Sequence, residues 1–150
     1  MYGDVEVRGI DDHPGGPALA GPRPRHGKEL AREKIVSVRL RLVPGDTDAV
    51  TAIAVVTEDD IPIGDVDPAR ADRMAPALDG FLRRIATPRE RRGCSVDVRC
   101  SAFLTAEWRA PEDLSDGDDP WVPSELEIIL LIDDGDLGYK ISPPKLTVGW

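Results

Sequence analysis

The chain has 150 residues, 41% of them hydrophobic and 31% charged, with a formal net charge of −9. That length fits one domain, residues 1–150, able to bury about two-thirds of its unfolded surface in one core. No apolar run approaches the ~20 residues that a membrane-spanning helix needs, and the N-terminus carries no signal-peptide pattern, so the expected setting is the cytoplasm without a membrane partner. Cys94 and Cys100 are too few for a disulfide framework and lack CxxC spacing. They read as small buried hydrophobes.

An acidic protein repels phosphate backbones on average. Here the charge is unevenly placed. Carboxylates concentrate in 46–67 and 107–136, and cations in 23–41 and at Arg83, Arg84, Arg89, Arg91, Arg92 and Arg99, so a local basic face on an acidic body is open.

In chain order, Val5 and Val7 alternate with Asp4, Glu6 and Arg8, which predicts a first strand. Residues 11–27 are rich in Pro and Gly (His13-Pro14-Gly15-Gly16-Pro17, Gly21-Pro22-Arg23-Pro24) and read as a loop with little apolar surface to offset its ordering entropy. Residues 27–34 are ambiguous, with room for one helical turn. From Ile35 the pattern sharpens. Val36, Val38, Leu40 and Leu42 fall on one side, and Ser37, Arg39 and Arg41 on the other, the mark of a half-buried strand. Pro44-Gly45 and an acidic turn lead to Ala52–Val56, a run apolar enough to be covered on both faces. Glu58-Asp59-Asp60 reads as a polar turn and Ile61–Ile63 as a return strand ending at Gly64. Asp67-Pro68 then supplies an N-cap and first helical residue. Met74, Leu78, Phe81, Leu82 and Ile85 form a helical stripe that should end near Ala86, before Pro88, with Pro76 expected to kink or split it.

Val96, Val98, Cys100 and Ala102 resume strand alternation. A long acidic connection, 105–124, holds Trp108 and Trp121. Two indoles in so polar a stretch either pin it to the body or anchor a partner, and pinning is the favoured reading. The Ile-Ile-Leu-Leu-Ile run within Glu125–Ile132 predicts a buried strand, residues 133–136 a turn, and 145–150 a last edge strand.

Recognisable chemistry is sparse. His13 and His26 have no neighbouring Cys and no HExxH pattern, and read as solvated loop histidines. The acidic turn at Asp133 has Gly135 and Leu137 where a calcium loop needs oxygen ligands, and that of 113–118 lacks the glycine at the sixth position. No GxSxG, Walker A or GxGxxG pattern occurs. The reading is of a protein that is not an enzyme and needs no cofactor or metal.

The central stretch resembles the HIRAN domain. The matching residues are Leu42, Val43, Pro44, Ala52, Ile53, Ala54, Val55, Ile63, Gly64, Ala71, Ala75, Pro76 and Leu78, and Val5-Glu6-Val7-Arg8-Gly9 is similar to the family's opening strand. The likeness covers roughly residues 4 to 85, and the later strands are compatible with bacterial stand-alone members. Most matching positions are apolar or turn-forming, so they speak for fold more than function. The resemblance implies a mainly β fold: an OB-like or SH3-like small barrel of about six strands with a helix, 67–86, packed on it.

In helicase-like DNA remodelling proteins of this family the domain captures a single-stranded DNA 3′ end, using an Asn/Asp turn and stacking aromatics. This chain departs from that pattern, having Asp46-Thr47-Asp48-Ala49-Val50-Thr51 in the turn and Asp65 where the family has an aromatic. Asp46 is the one polar turn residue that carries over, and Tyr2, Phe103 and Tyr139 are the aromatics left for stacking.

Two readings follow. In one, the module binds single-stranded DNA, with Arg83, Arg84, Arg89, Arg91 and Arg92 tracking the backbone; as plain structure, these arginines complement a helix C-terminus. In the other, the DNA pocket is lost and a protein partner is met through the acidic surface that holds Trp108 and Trp121.

Overall fold

A strand whose two edges each find a different neighbour sets the architecture. In the computed structural model, which describes residues 5–24, 30–44, 50–85, 95–110, 112, 117, 122–132 and 137–142, that strand is β2, Ala31–Pro44. Around it the chain places β1 (Val5–Arg8), α1 (Gly15–Ala20), β3 (Val50–Val56), β4 (Pro62–Val66), α2 (Pro68–Ile85), β5 (Ser95–Glu107), β6 (Glu125–Leu131) and β7 (Gly138–Ser142). The N-terminal part of β2 pairs with β5 from Ala31↔Glu107 to Leu40↔Val98, and its C-terminal part pairs with β3 from Arg39↔Val56 onward. Continuing through β4, β1 and β6 back to β5 closes a six-stranded antiparallel barrel. β7 adds to the stretch of β5 that β6 leaves free, Ser95–Arg99. The fold is therefore mainly β, a small closed barrel with helices, as the sequence reading expects.

Period-2 alternation explains the interior. Val38 and Leu40 of β2, Ile53 and Val55 of β3, Val98, Cys100, Ala102 and Leu104 of β5, and Ile128 and Leu130 of β6 all point inward and are buried in one core. Burial pushes the Cys100 thiol up to about 12, which keeps it protonated and inert. α2 adds Ala71, Met74, Ala75, Leu78 and Leu82, buried at helical spacing, while Phe81 packs half-buried beside them. The helix runs through Pro76 as one element rather than two. Its apolar face is anchored to the core on both sides of the proline, which offsets the lost backbone hydrogen bond. None of the helices among the described residues is long and apolar enough to cross a membrane.

Several expectations change. The Pro/Gly-rich segment 11–27 is not wholly a loop, since α1 lies within it. Gly15 and Gly16 are buried there because nothing larger fits. A Cβ on Gly15 would collide with the Pro62 carbonyl, and one on Gly16 would come within 2.6 Å of Ile10 and 2.8 Å of Leu126. Residues 31–34 extend β2 instead of forming a helical turn, because Thr105–Glu107 offer a ladder to pair with. β6 is buried on one face only. Ile129 and Leu131 sit half-exposed outside the barrel. A strand appears at Gly138–Ser142, where none is predicted, and the expected strand at 145–150 lies outside the described residues.

The described ends of the long acidic connection are pinned. Trp108 is 3% exposed, its backbone N–H donates to the Leu30 carbonyl at 2.7 Å, and the Arg32 guanidinium lies 5.2 Å from the centre of its ring. At the far end, the Ser124 N–H and hydroxyl both donate to the Glu107 carbonyl, at 2.7 and 3.1 Å. The indole thus belongs to the core. Trp108→Ala should cost about 3–5 kcal/mol of folding free energy, measurable as a lowered urea midpoint, as for other buried aromatic truncations.

Candidate binding groove

The residues that shape the barrel's surface come from outward positions of adjacent strands. Ladder register aligns Arg41 of β2, Ala54 of β3, Asp65 of β4 and Arg8 of β1 in one row across four strands. Ala54 and Gly64 keep the floor of this row low. A Cβ on Gly64 would collide with the Arg8 carbonyl, so glycine is what lets β1 approach β4. The result is a groove of about 720 Å³ with an aliphatic floor of Ala54, Val55, Val56 and Pro62. Arg8 and Arg41 supply its cationic side, with the His13 imidazole beside them, and Asp12 and Asp65 oppose them. Its volume is within the usual range for small-ligand pockets, roughly 300–1,000 Å³. The Arg8 side chain is half-exposed, with Nη1 3.0 Å from Asp67 Oδ1 and Nη2 3.9 Å from Asp65 Oδ2.

Arg41 leads from the groove into a charged cluster where β2 has neighbours on both edges. Arg39, the outward residue two before it, is fully buried, and so is Asp97 of β5 at 1% exposure. Arg39 Nη1 donates to Asp97 Oδ2 at 2.9 Å, Nε to the Thr57 carbonyl at 3.1 Å, and Nη2 to Asp60. Arg41 donates through Nη2 to Asp60 Oδ1 at 2.8 Å and Asp97 Oδ2 at 3.1 Å, with Nε 3.3 Å from Asp97 Oδ1.

The β3–β4 turn is built to present these acceptors. The Thr57 hydroxyl accepts from the Asp59 and Ile61 N–H groups at 3.2 and 3.0 Å, and Asp60 takes a left-handed φ of 67°. Aspartate adopts that conformation more readily than most residues. Glu58 completes the clasp, taking a two-pronged contact from Arg99 at 3.1 and 2.7 Å and a hydroxyl bond from Ser37 at 2.9 Å. Hydrogen bonds from Arg41 and then Arg39 hold the Asp60 carboxyl below its ordinary value, and the bond to Asp97 raises Arg41 further above its already high one.

Of the residues singled out by sequence, Arg83 and Arg84 stand exposed on the last turn of α2, and Arg83 Nε lies 2.9 Å from Asp79 Oδ2 one turn earlier. Neither lines the groove. Trp108 is buried. Asp46, Arg89, Arg91, Arg92, Trp121, Tyr2, His26 and Cys94 lie outside the described residues. Phe103 is half-buried on the outer face of β5, and Tyr139 is exposed on β7.

The sequence reading missed Arg8, Arg41 and His13 as groove residues. Each has an unremarkable signal on its own strand or loop; only the register across four strands aligns Arg8 with Arg41, and the turn after β1, closed by the His13 N–H on the Ile10 carbonyl, brings His13 to the same groove. Among the described residues, no group of three His, Cys, Asp or Glu side chains could hold a metal ion.

Fold and groove define a small closed antiparallel β-barrel with a charged cleft on its outer wall. Comparison with protein families, with curated proteins and with solved structures finds no match.

Two outcomes follow from the cluster. Arg39→Ala leaves the buried Asp97 carboxylate without its main partner and should cost about 3–5 kcal/mol in urea unfolding, whereas replacing Arg39 and Asp97 together with apolar residues should cost far less. A carboxyl held below its unfolded value contributes stability that is complete above that value, about 3.9, and is lost as pH falls through the folded one. Asp60→Asn should therefore flatten the loss of stability seen below about pH 4, while equal acid sensitivity in wild type and variant would show that Asp60 does not contribute.

Proposed function

We propose that the chain is a non-catalytic, HIRAN-like binding module whose groove takes the end of a single nucleic-acid strand. The observation that carries this reading is the pairing of an aliphatic floor with three cationic or titratable side chains, Arg8, Arg41 and His13, along one barrel wall. A base can rest on Ala54 and Pro62 while a phosphate meets Arg8, whose half-exposed guanidinium is held ready by Asp67. Among the described residues no Phe, Tyr or Trp lines this groove, so the stacking contribution of about 1–3 kcal/mol per base that those rings give is absent and the affinity is modest. The carboxylates Asp12 and Asp65 favour a strand end, with few phosphates, over a continuous backbone.

The competing reading, a protein interface through the acidic surface that holds Trp108 and Trp121, draws no support from the buried Trp108 indole, and Trp121 lies outside the described residues.

Fluorescence-anisotropy titration with a short labelled strand bearing a free 3′ hydroxyl tests the proposal. The expected result is binding weakened by blocking that end. Two phosphate-contacting arginines predict a log–log salt slope of only about −1.4. Arg8→Ala should weaken binding about tenfold, the size of one charge-assisted hydrogen bond, and Arg83→Ala should leave it unchanged. Absence of binding at low salt would overturn the reading.

A further inference from the structure

The other half of the barrel wall carries a surface of opposite character. Ladder register places Ile35 of β2, Phe103 of β5 and Ile129 of β6 in one outward row, continued by Glu6 of β1. Ile35 is 67% exposed, Phe103 and Ile129 are half-buried, and Leu131 extends the apolar surface by one row. The two rows on the other side are acidic, Glu33–Thr105–Glu127 and then Ala31–Glu107–Glu125. Among the outward positions of these four rows no lysine or arginine occurs. None of the carboxylates of Glu6, Glu33, Glu107, Glu125 and Glu127 forms an ion pair with a described cation.

This arrangement is unfavourable for an isolated barrel. Glu107 and Glu125 are direct cross-strand partners, and like charges placed opposite each other destabilise a sheet. An exposed isoleucine beside a half-buried phenylalanine leaves apolar area in water. A partner that covers the apolar row and neutralises the acidic rows relieves both at once. At the acidic end lies a recess of about 190 Å³ lined by Thr105, Glu107, Glu125, Leu126 and Glu127. It has room for the head of a cationic side chain, with three carboxylates around it. Because the side-chain arrangement makes no metal site, an organic cation is the better occupant.

We infer that the outer face of β2, β5 and β6 is a docking surface for a protein segment carrying apolar side chains flanked by lysine or arginine. Phosphate backbones are repelled by the acidic rows. A second copy of the same face is also disfavoured, since two-fold pairing would set five carboxylates against five. The inference does not depend on the nucleic-acid reading, which concerns the opposite half of the wall.

The test is a titration of the full chain, isotopically labelled on its backbone and methyl groups, with a synthetic 18-residue amphipathic Leu/Lys peptide, using its Leu/Glu counterpart as control. Expected are NMR shift changes centred on Ile35, Ile129, Leu131 and the acidic rows with the Leu/Lys peptide alone. Ile35→Ser and the pair Glu107→Lys, Glu127→Lys should each weaken binding at least tenfold, while Asp72→Asn on α2 leaves it unchanged. All these side chains are solvent-accessible, so the variants keep the fold, and Glu125→Gln should raise the thermal midpoint while weakening the peptide. The inference is overturned by an absence of binding, by shifts scattered over other acidic surfaces, or by an affinity indifferent to Ile35→Ser. It is also overturned by a dimer in sedimentation velocity that Ile35→Ser dissociates, which would assign the face to a second copy.

Discussion

The structure depends on β2 satisfying both of its edges. A fourteen-residue strand cannot lie flat against one partner here, because β5 takes its N-terminal ten residues and β3 its C-terminal part. The two ladders overlap at Arg39 and Leu40. At that overlap the outer face of the strand is closed over, so Arg39 is buried and its charge has to be met there. Asp97 from one neighbouring strand, and Thr57 and Asp60 from the turn beyond the other, meet it. A buried ion pair contributes little net stability over an apolar pair of the same shape, but removing one member is expensive. The cluster therefore fixes which strands meet at this point more than it strengthens their meeting.

Everything on the barrel's exterior inherits its place from that closure. The inward positions of all six strands share one apolar interior, as their alternation requires. The outward positions divide. Around β1, β4, β3 and the end of β2 they form a cleft with small floor residues and opposed charges. Around the start of β2, β5 and β6 they form an apolar row edged by glutamates. A net charge of −9 hides this division, because it averages a wall containing Arg8 and Arg41 with one whose outward row Ile35–Phe103–Ile129 is edged by glutamates and, among the described residues, meets an arginine only at Arg99, which Glu58 holds.

Trp108 and the short helix α1 show how the ends of such a barrel are handled. The β5–β6 connection leaves the sheet at an indole locked under Arg32, whose Nη1 also donates to the Ala20 carbonyl at the end of α1. One arginine thus ties the long acidic connection to the helix packed against β4. The glycines that made residues 11–27 look like loop are what allow α1 to sit against Pro62 and Leu126 without collision.

The sequence by itself determined the inward face of nearly every strand, the amphipathic stripe of α2 and the mainly β class, because period-2 and period-3.6 patterns are local and need no partner to be visible. Only the tertiary structure decided which outward residues are truly outside. Arg39 and Ile35 occupy equivalent polar-side positions on the same strand, yet one is sealed in an ion pair and the other stands in water. The Ile-Ile-Leu-Leu run of β6 looks buried on both faces but is covered on one. Alternation states which residues share a face, and the pairing of strands distant in sequence states what, if anything, covers that face.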